Sequence, residues 1–294
     1  MWFGKKGNSR PSIKRFLSEV KEGVPQISIM DHSDVGHSDE ASRELNSLMG
    51  GKLFDYPKPV KLLHRLVYLG LPKEGIVLDF FSGSATTAHA VMQLNAEDGG
   101  KRKFIMVQIQ EPCAENSEAF KAGYENICEI GKERIRRAGE KIKSENPLTT
   151  QDLDIGFRVL KLDETNMNDV YYSPDEYDQG KLKGLESNIK EDRSDLDLLF
   201  GCLLDWGLPL SWPYKSETIK GCTVHDYNDG ALIACFDENI PESVVKAIAK
   251  RKPLRAVFRD SGFASSPEKI NMLEIFKLYM PENADNISER VKVI

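Results

Sequence analysis

The residues that could carry chemistry are concentrated in the segment 77–91, VLDFFSGSATTAHAV. An apolar run of strand length ends at Asp79, a loop around Gly83 follows, and a helix can begin at Thr86. Gly83 would let a ligand approach the backbone closely, and Thr86 or Thr87 could satisfy free helix amides. Asp79 could accept a hydrogen bond from an ammonium group. The loop therefore predicts a site for a zwitterionic amino acid group more than for a pyrophosphate.

Two other ligand loops can be tested against these residues. A dinucleotide fingerprint requires the pattern GxGxxG, but Ser84, Ala85 and Thr86 follow Gly83. A phosphate loop requires Gly-Lys followed by Ser or Thr, and that triplet does not occur in the sequence. The residues therefore disfavour both loops, whereas a tight turn without a ligand, in a buried strand-helix-strand unit, remains an alternative.

A second acidic residue, Glu111, follows the next apolar run, in VQIQEP. An acid in this position can bind a ribose diol in nucleoside-binding α/β sheets. By itself, an acid after a strand is more often a turn residue or a surface charge. Glu111 is therefore a candidate only in combination with the preceding loop.

The elements that must position these residues alternate along the first half of the chain. Strand, helix and strand in this order predict a right-handed parallel unit. The apolar spacing predicts strands at 76–81 and 104–109, and helices at 12–21, 40–49, 59–69, from Thr86 through Leu94, and 119–144, with an extended piece at 26–30.

The second half has a different pattern, in which strands and helices are segregated. This predicts a separate, smaller α+β domain. The predicted elements are a strand at 157–162, a helix at 192–206, a hairpin at 222–236, a helix at 242–251, a strand at 254–258 and a helix at 269–279.

Length and composition are those of a soluble protein of two domains, or of one domain with a large appendage, with 294 residues, 40% hydrophobic residues and a net charge of −6. No apolar run has the length of a membrane span and no signal peptide is evident, which predicts a cytoplasmic protein. The five cysteines form no CxxC pair, so neither a disulfide framework nor a metal site is expected. Six basic residues within 1–22 could contact phosphates or form a solvated face: Lys5, Lys6, Arg10, Lys14, Arg15 and Lys21.

The segment VLDFFSGSATTAHAVMQLNAEDGGKRKFIMVQIQEP resembles the cofactor region of β-class adenine-N6 DNA methyltransferases, specifically the modification subunit of type III restriction-modification systems. FDYPKPVKLLHRL is similar to the upstream motif of that family, and WFGKKGNSRPSIKRFLSEV to the end of its target-recognition region. The part from DIGFRVLKLD to RAVFRDSGFASSPEKINMLEIFK resembles its C-terminal domain. The resemblance implies S-adenosylmethionine as cofactor and a Rossmann-like α/β fold.

The resemblance also implies the site residues. Those that match the family's cofactor motifs are Phe54, Pro57, Lys58, Asp79, Phe81, Gly83, Ser84, Thr86, Thr87 and Glu111. Ala85 departs from the family pattern, in which glycine is frequent. A methyl group is expected to be tolerated there if the backbone φ of Ala85 is negative.

The catalytic motif of this family is not found in the chain. It consists of Asp or Asn, two prolines and an aromatic residue, which hold the extruded adenine and align its amino group with the methyl group. None of the fourteen prolines lies in such a tetrad. The partial matches, residues 211–214 (SWPY) and 171–174 (YYSP), are better explained as surface loops.

These observations predict three parts: residues 1–50 as the end of the recognition region and a connector, 51–148 as the cofactor-binding part, and 149–294 as the C-terminal domain. The chain is expected to be the C-terminal portion of a modification subunit and inactive alone. The implied partners are double-stranded DNA, a second copy of the chain and a restriction subunit. The alternatives are a non-catalytic DNA-binding or assembly module with a vestigial cofactor pocket and, less consistent with the residues, an oxidoreductase with a degenerate nucleotide loop.

Overall fold

The computed structural model describes residues 26–168 and 188–294, together with residues 7, 8, 10, 16 and 18. The chain divides into two units, Met1–Phe157 and Arg158–Ile294. The helix predicted at 12–21, apart from residues 16 and 18, lies outside the described residues. The same holds for the basic residues near the N-terminus other than Arg10 and for the YYSP segment. In the described part, no helix combines the length and the apolar character needed to cross a membrane.

The first unit contains a parallel pair of strands, covered on one face by helices. Its elements are α1 (His32–Val35), α2 (Ser38–Met49), α3 (Val60–Gly70), β1 (Glu74–Asp79), α4 (Thr86–Asp98), β2 (Lys101–Met106), α5 (Glu118–Lys121) and α6 (Ile127–Glu145). β1 and β2 pair in parallel, with Asp79 opposite Met106. The predicted strand-helix-strand unit is thus present, although both strands begin and end before the predicted bounds.

The prediction of one helix over 119–144 was wrong at its beginning. Gly123 has a backbone φ of 91°, which a helix does not allow, and the chain leaves α5 there. A new helix begins after Asn126, whose side chain accepts hydrogen bonds from the amides of Cys128 and Glu129. α5 and α6 are therefore separate elements with separate N-terminal caps.

The two faces of the β1–β2 sheet differ in what covers them. Val77 and Phe104 pack with Val67, Val91 and Leu94, which lie on α3 and α4. The opposite face is apolar but exposed in the described structure, through Ile76, Leu78, Ile105 and Val107. Parallel sheets are ordinarily covered on both faces, so this face is unusual for the sheet type.

The second unit is built around a five-stranded mixed sheet in the order β3-β4-β5-β6-β7. The first three strands are antiparallel, and β5-β6 and β6-β7 are parallel. Its elements are α7 (Asp195–Asp205), β3 (Tyr214–Ile219), β4 (Cys222–Tyr227), β5 (Leu232–Cys235), α8 (Glu242–Lys250), β6 (Ala256–Phe258), α9 (Ser266–Tyr279), α10 (Ile287–Arg290) and β7 (Val291–Val293).

Helices cover both faces of this sheet. Along β5, Leu232 and Ala234 pack with α7, whereas Ile233 and Cys235 pack with α8 and α9. The period of two in side-chain direction explains why all four residues are buried and apolar. The predicted hairpin at 222–236 is confirmed as β4-β5.

Two predictions for this half were wrong, and two strands were missed. The segment 157–162 is not a strand, because none of its residues joins a ladder. β3 and β7 were missed, since β3 is polar (YKSETI) and lies at a sheet edge, and β7 has three residues. Strands and helices are not segregated throughout, because β5, α8, β6, α9 and β7 alternate with parallel pairing.

The hydroxyl of buried Tyr227 ties the loop before β3 to the sheet. It donates a hydrogen bond to the carbonyl of Pro209 and accepts one from the amide of Trp212 at 3.1 Å. Tyr227→Phe leaves both backbone groups without this partner, and we expect it to lower the unfolding free energy by about 1–3 kcal/mol.

Tryptophan fluorescence during urea unfolding measures this change, because the rings of Trp212 and Tyr227 lie 6.4 Å apart. Tyr214→Phe, at a 36% exposed tyrosine of β3, is the matched control and should change little. Equal effects of the two substitutions would contradict the assigned role of the Tyr227 hydroxyl.

Candidate functional site

The loop after β1 is tied by backbone hydrogen bonds to the end of β2. The amide of Val107 donates to the carbonyl of Asp79 at 2.8 Å, and the amide of Ser82 donates to the carbonyl of Val107 at 3.2 Å. The loop therefore lies at the carboxyl ends of two parallel strands, which is where open α/β sheets bind their ligands.

Asp79 is held in place by two donors. One carboxylate oxygen accepts from the amide of Phe81 at 3.2 Å, and the other accepts from the hydroxyl of Thr87 at 2.5 Å. The side chain is half-buried. A carboxylate oriented in this way retains lone pairs for an external cationic donor.

The predicted capping role of Thr86 and Thr87 was wrong. Helix α4 has no side-chain cap, and its N-cap residue is Ala85. The Thr87 hydroxyl is used by Asp79, and the Thr86 hydroxyl accepts from Arg134 at 2.7 Å. Because both hydroxyls have partners away from the helix end, the first amides of α4 lack this means of capping.

Gly83 has a backbone φ of 50°, in the left-handed region that favours glycine. The Phe54 ring also lies against it, since a Cβ at Gly83 would lie 3.3 Å from Cζ of Phe54. The amide of Gly83 donates to Oε1 of Gln108 at 2.7 Å. The fold thus brings together Gly83 and Phe54, as the sequence predicted, and adds Gln108, which it did not.

The expectation of a negative φ at Ala85 was wrong. Its φ is 60° and its ψ is 38°, which is left-handed backbone. For a residue with a Cβ this conformation is unfavourable by about 1–2 kcal/mol. The conformation persists because the methyl group of Ala85 is buried with Ala88, Met92 and Ile135. The family's frequent glycine at this position has a physical reason.

Arg134 of α6 is the main residue at the candidate site that the sequence did not predict. Its side chain is completely buried, and its guanidinium donates to Oγ of Ser84 and Oγ1 of Thr86, both at 2.7 Å. A signal was present in the sequence: Arg134 lies four residues after Ile130 and four before Ala138, both of which are buried. This spacing places the arginine on the apolar stripe of α6.

The ionisable groups near Arg134 do not neutralise its charge by direct pairing. Burial lowers the pKa of Arg134 to about 10, which the attraction of Glu44 partly offsets. Burial likewise raises the pKa of the Glu44 carboxyl. Burial, together with the charges of Arg134 and Lys141, lowers the pKa of His89 to about 3, so this histidine is neutral near pH 7.

The side chains of the remaining predicted residues make no hydrogen bond to the loop in the described structure, although the amide of Phe81 donates to Asp79. Phe81 is 85% exposed, Pro57 is buried, and Lys58 is exposed. Glu111 is exposed, and its carbonyl accepts from the amide of Ile127 at 3.0 Å. A cavity of about 550 Å³ lies elsewhere in this unit, between α2 and α6, and its lining is mostly charged.

The cysteines of the second unit are closer together than their spacing suggested. The β4-β5 pairing brings Cys222, Cys235 and Asp237 together, so that their ligand atoms lie within 4.8 Å of one another. Burial raises the pKa of both thiols, that of Cys235 to about 12. The protonated thiols are part of the apolar core, because Cys222 and Cys235 pack with Val224 and Ile233.

The profile of the DNA methylase family N6_N4_Mtase matches residues 7–121. The Type III restriction-modification enzyme StyLTI Mod subunit of Salmonella typhimurium is 44% identical over 158 residues, which cover 54% of this chain and 24% of that protein.

Two further relatives match over more of the chain. The EcoPI Mod subunit of Escherichia phage P1 is 31% identical and is matched over 81% of this chain and 37% of its own length. The EcoP15I Mod subunit of Escherichia coli is 29% identical, with 94% and 41% covered. The chain thus spans about a quarter to two fifths of the length of these relatives.

The strain at Ala85 can be tested by stability. Ala85→Gly removes a buried methyl group, worth about 0.8 kcal/mol, but relieves backbone strain of about 1–2 kcal/mol, so we expect a change of less than about 1 kcal/mol. Ala90→Gly, at a completely buried alanine inside α4, has no strain to relieve and should destabilise by about 1.5–2 kcal/mol. Thermal unfolding followed by circular dichroism compares the two variants. Equal losses would show that the Ala85 backbone is not strained.

Proposed function

Because the chain belongs to the family of modification subunits of type III restriction-modification enzymes, we propose that its first unit binds S-adenosylmethionine for adenine-N6 methylation of DNA. The observation that carries this proposal is the loop from Asp79 to Thr87. It combines an oriented carboxylate, a left-handed glycine under an aromatic ring and an uncapped helix, all at the carboxyl ends of parallel strands.

Each part of the cofactor has a candidate partner. The carboxylate of Asp79 accepts from the ammonium group of the methionine moiety, because its two oxygens are oriented by neutral donors only. Glu111, after β2, accepts from the ribose hydroxyls. The residues that we propose to line the cofactor are Phe54, Pro57, Lys58, Asp79, Phe81, Gly83, Ser84, Thr86, Thr87 and Glu111.

The open sheet supports the view that this methyltransferase domain is partial. In the part of the chain that the structure describes, the parallel sheet has two strands and an exposed apolar face, without the cover that such sheets ordinarily have. The chain also lacks the tetrad of Asp or Asn, two prolines and an aromatic residue that would hold the adenine. We therefore propose that the chain corresponds to the C-terminal portion of a modification subunit, and that base extrusion and alignment depend on residues outside it.

The partners follow from the family. We propose that the complete enzyme acts on double-stranded DNA, as a dimer of modification subunits, together with a restriction subunit. The chain itself contributes the binding site for the methyl donor to that assembly.

One observation favours a second function, a non-catalytic DNA-binding or assembly module with a vestigial pocket. Residues 84–87 are buried, Ser84 and Thr86 accept from Arg134, and Thr87 donates to Asp79. A segment in which the hydroxyls of Ser84, Thr86 and Thr87 are all used internally could be a packing element only. Calorimetric titration with S-adenosylmethionine distinguishes the two functions, because a vestigial pocket gives no heat of binding.

Cofactor binding should depend on the charge of Asp79. Asp79→Asn keeps the size of the side chain but removes the charge-assisted hydrogen bond, and we expect roughly tenfold weaker binding of S-adenosylmethionine in calorimetry. Glu74→Gln is the matched control, because Glu74 is exposed at the other end of the same strand and should leave the affinity unchanged. Undiminished affinity of the Asp79→Asn variant would remove Asp79 from the site.

The purified chain should not methylate DNA by itself. In a filter assay with tritiated S-adenosylmethionine and duplex DNA of mixed sequence, we expect no more label than with the Asp79→Asn variant. The complete Mod subunit of phage P1 serves as the positive control. Label above that background would show that this chain holds a catalytic motif that its prolines do not reveal.

A further inference from the structure

The buried guanidinium of Arg134 connects helix α6 to the loop that precedes α4. Arg134 lies 50 residues after Ser84 in sequence, and its side chain is completely buried. Every polar contact of the guanidinium in the described structure is to a neutral oxygen: Oγ and the carbonyl of Ser84, and Oγ1 of Thr86. Nε has no partner and is buried.

A buried cation that contacts only neutral groups makes its surroundings positive. Glu44 attracts Arg134 without forming a hydrogen bond to it, and His89 of α4 is neutral. Burial of a charge without a paired counter-ion is unfavourable, and an anion that enters nearby reduces that cost. The loop side of Arg134 is therefore a favourable place for a negative group.

The N-terminus of α4 adds to the same effect. This helix has 13 residues, no side-chain cap and no acidic residue in its first turn. Its first amides carry the positive end of the helix dipole. The first residue of α4, Thr86, is also an acceptor of the guanidinium, so the two positive groups lie beside one another and come from two independent elements.

We propose that Arg134 is a positioning residue of the cofactor site, and that its buried charge, acting with the N-terminus of α4, selects ligands that carry a carboxylate. The inference rests on the proposed function. The methionine moiety of S-adenosylmethionine is a zwitterion, and Asp79 already matches its ammonium group. Arg134 supplies the opposite charge, so that the loop complements both ends of the zwitterion. A purely structural role for Arg134 predicts no such selectivity.

Two ligands that differ only in the carboxylate test this proposal. S-adenosylhomocysteine carries the group, and S-adenosyl-3-thiopropylamine lacks it. Calorimetry at pH 8 on the purified chain gives the selectivity ratio, which is the dissociation constant of S-adenosyl-3-thiopropylamine divided by that of S-adenosylhomocysteine. We expect Arg134→Met to lower this ratio about tenfold, through weaker binding of S-adenosylhomocysteine alone. Arg136→Met removes the same charge from an exposed position of α6 and should leave the ratio unchanged.

Two further variants address folding. Arg134→Lys keeps the charge, and the ratio of dissociation constants should remain close to that of the wild-type chain. We expect this even if a lower thermal unfolding temperature shows that the variant is less stable. Glu44→Gln removes the carboxylate that attracts Arg134 and should raise the ratio about twofold. These two variants remain decisive if Arg134→Met does not fold.

The outcomes are distinct. Equal weakening of both ligands by Arg134→Met, an unchanged ratio, or a loss of the ratio in Arg134→Lys would each overturn the proposal and leave Arg134 as a structural residue. Failure of the wild-type chain to bind either ligand would instead reject the proposed function on which the inference rests.

Discussion

The hydrogen bonds from Arg134 to Ser84 and Thr86 are the contacts on which the loop of the first unit depends. A loop with left-handed residues at both Gly83 and Ala85 is intrinsically unfavourable and must be held by its surroundings. The guanidinium binds the two residues that flank Ala85, and the packing of Ala85 against α6 is possible only when α6 lies in that position. The unfavourable burial of the Arg134 charge thus accompanies a defined backbone conformation of the loop. Proteins tolerate such burial chiefly where function requires the geometry.

The second constraint is the sheet. Two parallel strands satisfy each other's backbone groups on one side only, and their outer face carries Ile76, Leu78 and Ile105 towards solvent. The inner face is buried by α3 and α4, so the strand that carries the loop is packed against these helices. Among the described residues, the scaffold therefore covers one face of the sheet with helices and leaves the other face exposed. This asymmetry agrees with a chain that spans about a quarter to two fifths of the length of its relatives.

The sequence predicted those parts of the fold that depend on local periodicity. The start of α4 at Thr86 and the β4-β5 hairpin are confirmed. Both are determined locally, by turn-forming residues and by the spacing of the apolar residues. The strand predicted at 157–162 and the missed β3 have another cause. Pairing at a sheet edge depends on a partner distant in sequence, and a polar edge strand has no apolar pattern of its own. The φ of Ala85 depends in the same way on tertiary packing, since a local rule would exclude it.

The candidate site shows the same division between local and distant information. Asp79, Gly83 and Thr87 could be named from one segment because the chemistry of a loop is written in consecutive residues. Gln108 and Arg134 could not, because Gln108 follows β2 and Arg134 lies on α6, both distant from the loop in sequence. Arg134 nevertheless left a trace, a charge in the middle of an apolar stripe. A charged residue in such a position must find hydrogen-bond partners among the other buried groups. The completely buried guanidinium of Arg134 has two such partners, the hydroxyls of Ser84 and Thr86. A charged residue on the buried stripe of a helix is therefore a sequence signal for a residue that supports a loop from a distant element. The loop's own motif identifies only residues within the loop.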